Sequence, residues 1–343
     1  MTRPETAPSD MTQPEMTRPE TTRPVRLASI DYGKGGIGTY RFAARPLAVT
    51  AIPESPFMGR GNELFAAEID VQVLGGPFAA AYTEGDNHNV VATDTMKNFV
   101  LKRALEFEGS TLEAFLDFLG RSFLSTYPDM DAVHVTGREL PFIPALVPDG
   151  DGFKPSPVLF SRSRGDYGGA ELMLERTVSG IALTDHECGR LELQLVKLTG
   201  SSFSSFARDD LTTLPELQDR PLFIYLDVFW RYADPAGMVA DAPTHYVAAE
   251  QVRDLAAGTF HDFNSRSIQH LVYEMGVRLL ARFPQLAEVR FEAQNRLWDP
   301  AFGEGGVQVR TDPRPPYGKI GLTLQADALQ ADTLQAEPAQ PLE

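Results

Sequence analysis

The chain of 343 residues carries one cysteine, Cys188. A single thiol can neither close an intramolecular bridge nor build a thiolate metal cage. A disulfide scaffold and paired-thiol redox chemistry are therefore excluded, and the sequence fits a reducing cytoplasm. An excess of positive charge is also lacking: 31 Lys and Arg against 47 Asp and Glu leave a formal net charge of −16. Such a chain repels a phosphate backbone, so nucleic acid is not expected as a partner. No run of about 20 apolar residues occurs, so no helix is expected to span a membrane. The histidines (His88, His134, His186, His245, His261 and His270) form no HExxH motif and no i, i+4 pair, so no metal site is expected. A GxSxG nucleophile elbow is missing too, which removes the usual serine-hydrolase reading.

What is present divides into two tails and a periodic middle. Residues 1–27 repeat a Met-Thr-Arg/Gln-Pro-Glu unit without enough apolar area to pack, and read as a disordered tail. Residues 323–343 repeat Leu-Gln-Ala-Asp at a five-residue period that holds no single helical face, and read as a second one. Between them, residues 64–74 alternate apolar and polar like a half-buried strand, paired with residues 30–44 through a long Pro/Gly loop. The period then changes. Met96, Phe99, Val100, Ala104 and Phe107 mark a helix with Asp94 or Thr95 available as its cap. A second helix carries Leu112, Phe115, Leu116, Leu119 and Phe123 behind a capping box of Ser110 and Glu113. Strand-like runs follow at 132–139 and 157–163.

The second half repeats this order, with strands near 171–183, 190–198 and 221–232 and helices near 244–259 and from Ile268. Strands at 289–293 and 307–310 come next, and a Pro-rich exit loop at 310–318. The expected class is α+β, a duplicated ββααββ module with boundaries at 28–165 and 166–322. Open antiparallel sheets of this kind need their edges covered, which oligomerisation into a barrel supplies.

Several local signals admit a bland explanation. Residues 33–38 match GxGxxG, but strand rather than helix follows, so a turn or bulge is the better account than a dinucleotide loop. Lys34 within it is a cation where backbone can approach a ligand closely. Thr93 and Asp94 stand where strand-like sequence passes into helix; capping explains them, and so does a polar ligand at a helix start. Asp219-Arg220 precedes a strand. Gln269 falls off the apolar stripe of its helix, free to face a cavity or solvent.

Taken together these segments resemble the urate oxidase (uricase) family, bacterial branch. The resemblance is carried by Tyr32-Gly33-Lys34, by Tyr82-Thr83 with Asp86-Asn87, and by the run from Val91 to Asn98. It continues through Phe203, Arg208 to Leu214, Asp219-Arg220, Ser267-Ile268-Gln269, Glu292 to Asn295, and Pro313 to Gly318. It implies a tunnelling fold: tandem ββααββ units whose antiparallel sheets form an oligomeric β-barrel with helices outside. Two chains would close each barrel and two barrels would stack as a homotetramer, with active sites at subunit interfaces.

The implied reaction is oxidation of urate by O2 and water to 5-hydroxyisourate and hydrogen peroxide, with neither metal nor organic cofactor. By position, Arg220 and Gln269 would grip opposite edges of the purine, Phe203 would stack on its face, and Leu214 and the backbone of Ile268 would complete the pocket. Asn295 would hold dioxygen and then water. Thr93 and Asp94 would arrive from the neighbouring subunit. A Lys34–Thr93 pair would relay the substrate proton, provided the surroundings of Lys34 favour the neutral amine. One departure stands out. Family members often place a histidine two residues after the Asn, where this chain has Leu297, which cannot carry a proton. That substitution keeps open a non-catalytic purine-binding tetramer. A zinc-dependent cyclohydrolase of the same fold is disfavoured by the missing Cys/His ligand set.

Overall fold

In a computed structural model the described residues are 25–162, 165–239 and 245–327. Most of the tails read from sequence at 1–27 and 323–343 lies outside them.

The first half contains β1 (Asp31–Phe42), β2 (Leu47–Ala48), β3 (Gly59–Arg60), β4 (Leu64–Leu74), α1 (Ala79–Thr83), α2 (Thr93–Glu106), α3 (Leu112–Thr126), β5 (Ala132–Glu139), β6 (Phe142–Asp149), β7 (Gly152–Arg162) and β8 (Tyr167–Thr177). The second contains β9 (Gly180–Lys197), β10 (Leu222–Tyr232), α4 (Ala236–Val239), α5 (Ala249–Asp262), α6 (Ile268–Arg282), β11 (Leu286–Leu297), β12 (Pro300–Glu304), β13 (Val307–Arg310) and β14 (Arg314–Gln325). Eight strands form one antiparallel sheet in the order β1-β4-β5-β8-β9-β10-β11-β14. The sheet is open: β1 and β14 are its two edges.

Alternation decides which face is buried. On β4, Phe65, Ala67, Ile69, Val71 and Val73 are buried, and on β10 every second residue from Leu222 to Tyr232 is. These side chains merge with the apolar stripes of the long helices into one core, including Phe115, Leu116, Leu119 and Phe123 of α3 and Leu271, Val272, Met275 and Leu279 of α6. Two glycines mark close approach. A Cβ on Gly120 would lie 2.5 Å from Leu174, and one on Gly276 would lie 2.6 Å from Leu324. The opposite face of the sheet carries charge instead, with Glu68, Arg138, Asp227 and Arg290 among its residues.

Five local expectations change. Neither Asp94 nor Thr95 caps α2; Ala92 occupies that position, with no side-chain bond to the free amides. The Ser110 capping box gives way to Thr111, whose hydroxyl accepts from Ala114 N at 3.3 Å, while Glu113 turns inward. The strand expected at 157–163 exists as β7, but it pairs with β6 in a separate hairpin, and β8 takes the fourth place in the sheet. Likewise 307–310 pairs only with β12, and the Pro-rich stretch expected to be an exit loop opens β14, the closing edge strand. An edge tolerates prolines because its outward N–H groups need no partner. The sheet thus holds four strands before the Val178–Ser179 turn and four after it, whereas the expected 165/166 division falls ahead of β8.

Candidate active site

The residues singled out from sequence assemble into two groups at different places on the sheet. The first is built on β1 and α2. Between Lys34 and Ile37 the β1–β4 register shifts, a bulge made by Gly35 and Gly36. Gly36 has φ +68, a conformation that suits glycine, and its N–H donates to Asp70 Oδ1 at 2.6 Å. The GxGxxG stretch is therefore a bulged strand, and the half-buried Lys34 sits at the bulge. Tyr32, two residues earlier, packs edge-on against Phe78 at 4.7 Å and accepts from Val91 N at 2.8 Å. That bond ties the start of α2 to β1.

Thr93 and Asp94 open α2 and are exposed. The Asp94 carboxylate pairs with Lys97 and accepts from Asn98 at 3.1 Å. The Lys97 hydrogen bond, with a smaller attraction from Lys34, holds its pKa below the usual carboxylate value. Its negative charge and the uncapped amides of α2 thus face outward together.

The second group is built from a short ladder of loop segments. Phe203 and Leu217 exchange backbone bonds at 2.8 and 2.9 Å, and Arg220 N donates to Ser201 O at 2.8 Å. Ser202 N donates to Ser265 O, also at 2.8 Å, which joins the ladder to the residues just before α6. Arg220 lies over the Phe203 ring at 5.4 Å, and Phe203 stacks on Phe206 with centroids 4.8 Å apart. The acid beside Arg220 does not neutralise it. Asp219 accepts from the Thr199 hydroxyl at 2.6 Å and from Gly200 N at 2.7 Å, contacts that hold its pKa low. Among the described residues Arg220 makes no ion pair, and burial draws its pKa down from the ordinary arginine value while leaving it a cation. A half-buried guanidinium stacked on an aromatic ring and free of a carboxylate is equipped to receive a planar anion.

Ser267 caps α6, its hydroxyl accepting from His270 N at 3.1 Å. Ile268 is buried and Gln269 exposed at the first two helical positions. Asn295 is half-buried on β11, opposite Ile224 and Gly318. Its neighbour Arg296 points to the other face of the sheet, sandwiched between Tyr225 at 4.2 Å and Tyr317 at 4.1 Å. Leu297 ends β11 with its backbone opposite Arg314. Leu214 is exposed in the loop after Arg208, whose guanidinium donates to Leu214 O at 3.3 Å. The structure thus brings together Phe203, Arg220 and the α6 start in one ladder, and Lys34 and Asp94 in another place. Sequence reasoning missed Tyr32 as the tether and Ser201 and Ser265 as the buried ladder. A Thr-Gly-Ser-Ser run looks like any loop, and only its partners reveal its role.

Five inter-strand steps separate β1, which carries Lys34, from β10, which follows Arg220 in the chain, roughly 24 Å measured strand to strand along the sheet. Among the described residues no three His, Cys, Asp or Glu side chains gather as a metal-holding set.

Comparison with known proteins identifies the family. The uricase family profile matches residues 77–165 and 186–321. A uricase from Halalkalicoccus jeotgali is 47% identical over 291 residues, 83% of this chain and 95% of the relative. The crystal structure of a uricase from Bacillus fastidious superimposes with a TM-score of 0.84 at 41% identity, covering 86% of this chain and 93% of that one. The urate oxidase of Bacillus sp. TB-90 gives 0.84 at 42% identity, covering 87% of this chain and all of that one. The chain belongs to the uricase family.

Proposed function

We propose that the protein oxidises urate with O2 and water to 5-hydroxyisourate and hydrogen peroxide, without a metal or organic cofactor, as a homotetramer whose sites form between chains. The observation that carries this reading is the unneutralised Arg220 stacked on Phe203 and bonded through Ser201 to the ladder that leads to Gln269. In this reading Arg220 and Gln269 clamp the purine edges, with a guanidinium fork on one side and a carboxamide donor and acceptor on the other. Phe203 supports the ring, Leu214 and the Ile268 backbone complete the wall, and Asn295 holds dioxygen and then water.

The groups that move protons come from the neighbouring chain. The open edges β1 and β14 favour a second copy closing a barrel, which would bring Lys34, Thr93 and Asp94 of one chain to the clamp of the other. The Thr93 hydroxyl passes a urate proton to the Lys34 amine, which leaves the purine electron-rich. Two electrons and two protons then reduce O2 to hydrogen peroxide, and water adds to the oxidised ring to give 5-hydroxyisourate. We divide the two modules at Val178–Ser179, where the sheet splits four and four.

The test is direct. Purified protein is mixed with urate in air, and urate loss and peroxide release are followed with and without a chelator. Stoichiometric loss and release, unchanged by chelator, is the expected result. Chelator sensitivity would contradict the cofactor-free reading. Binding of urate without turnover would support the second reading, a non-catalytic purine-binding tetramer, which Leu297 in the relay-histidine position favours.

A further inference from the structure

Beneath the proposed clamp lie two serines with no stated task. Ser201 is 1% exposed and Ser265 fully buried, and neither hydroxyl has a hydrogen-bond partner among the described residues. The Nε of Arg220 is likewise buried without one. Buried hydroxyls and guanidinium nitrogens are nearly always satisfied, by protein or by an ordered water that makes about three hydrogen bonds. These three residues are neighbours. Ser201 forms a parallel bridge with Ser265, and its carbonyl accepts from Arg220 N at 2.8 Å, so Ser201 stands between the other two. Ser265 in turn leads through Ser267, the α6 cap, to Gln269. The arginine arm and the glutamine arm of the clamp therefore share a polar floor made by Ser201 and Ser265.

We infer that Ser201 and Ser265 are positioning residues that hold one buried water against Nε of Arg220 and so fix the guanidinium relative to Gln269. Nε donates to the water, and the water and the two hydroxyls satisfy one another. Only the two Nη groups then face the ligand, and the arginine cannot swing toward solvent without breaking the water's bonds. The role rests on the reading of Arg220 as a purine ligand. It concerns orientation of the bound ring, not proton transfer.

The experiment uses the full-length protein and a Ser201→Ala/Ser265→Ala double variant, with xanthine as the non-reacting purine. A high-resolution structure of the wild type is expected to show a water within about 3.2 Å of both hydroxyls and Arg220 Nε. In the double variant that water should be gone, xanthine affinity and KM for urate weakened about tenfold, and kcat kept within about twofold. A loss of kcat with KM unchanged would overturn the positioning role, as would unchanged affinity. A wild-type map without the water would overturn it too, and needs no variant to fold. A wild type that binds xanthine yet does not consume urate would refute the proposed reaction, while the water and the xanthine affinity would still decide the role of the serines.

Discussion

The two groups of candidate residues are built in opposite ways. The Phe203–Arg220–Gln269 group is pre-formed: three loop segments are laced by backbone bonds, and the charged arm is half-buried on an aromatic ring with its own acid turned away. The Lys34–Thr93–Asp94 group stands on an edge strand and an uncapped helix start, largely exposed, with Asp94 occupied by side chains of its own helix. A receptor for a flat anion can be complete in one chain. The proposed relay stands on a strand five inter-strand steps from β10, roughly 24 Å measured strand to strand, and in the proposed reading it meets the ligand of another chain. On the proposed reading, the difference assigns orientation of the ligand and proton transfer to different chains, so activity would require assembly.

The largest effect that would break this division is Lys34→Ala. Steady-state kinetics should show kcat falling about 10²- to 10⁴-fold, the range of a lost general base, with KM near wild type. Equal losses in both would place Lys34 with the binding group. A smaller effect is expected from Arg220→Lys, which keeps the charge and removes the planar fork. KM should rise about 10- to 100-fold with kcat less affected, and an unchanged KM would show that the fork does not hold the ring.

The least effect on activity is expected at the join between the two halves. Glu113 of α3 is 4% exposed and accepts from the Tyr246 hydroxyl at 3.1 Å. Burial pushes its carboxyl up to about 8 from an ordinary 4.5. The folded state therefore keeps the proton that the unfolded chain releases. The resulting stability is fully present below pH 4.5 and is lost as pH rises to about 8. The unfolding free energy should fall across that window with a slope of at most about 1.4 kcal/mol per pH unit, read as a falling thermal midpoint. Glu113→Gln should flatten the fall and leave kcat intact; an equal fall in both proteins would remove Glu113 as its source.

Much of this architecture was legible because period reports burial. The stripe Leu112, Phe115, Leu116, Leu119 and Phe123 is buried as its spacing requires, and so is the alternation of β4. The ends were less legible. A one-residue difference in the α3 cap turns Glu113 from a surface capping group into a buried acid, and hydrophobic pattern does not register that step. β14 escaped notice because an edge strand buries few residues and tolerates proline, so its sequence resembles a loop. For the site, spaced motifs carry the resemblance to the family and supply the candidate residues, and the ladder beside Arg220 arises from long-range backbone pairing of Ser201 with Ser265 and of Phe203 with Leu217, for which no local signal exists.

Complementation between two dead variants tests the shared site most directly. Lys34→Ala and Arg220→Ala chains, each inactive alone, are co-refolded so that mixed assemblies form. If each site takes its amine from one chain and its guanidinium from the other, random pairing restores about a quarter of the wild-type sites. Mixed assemblies confirmed by mass but with no activity above either parent would contradict the account.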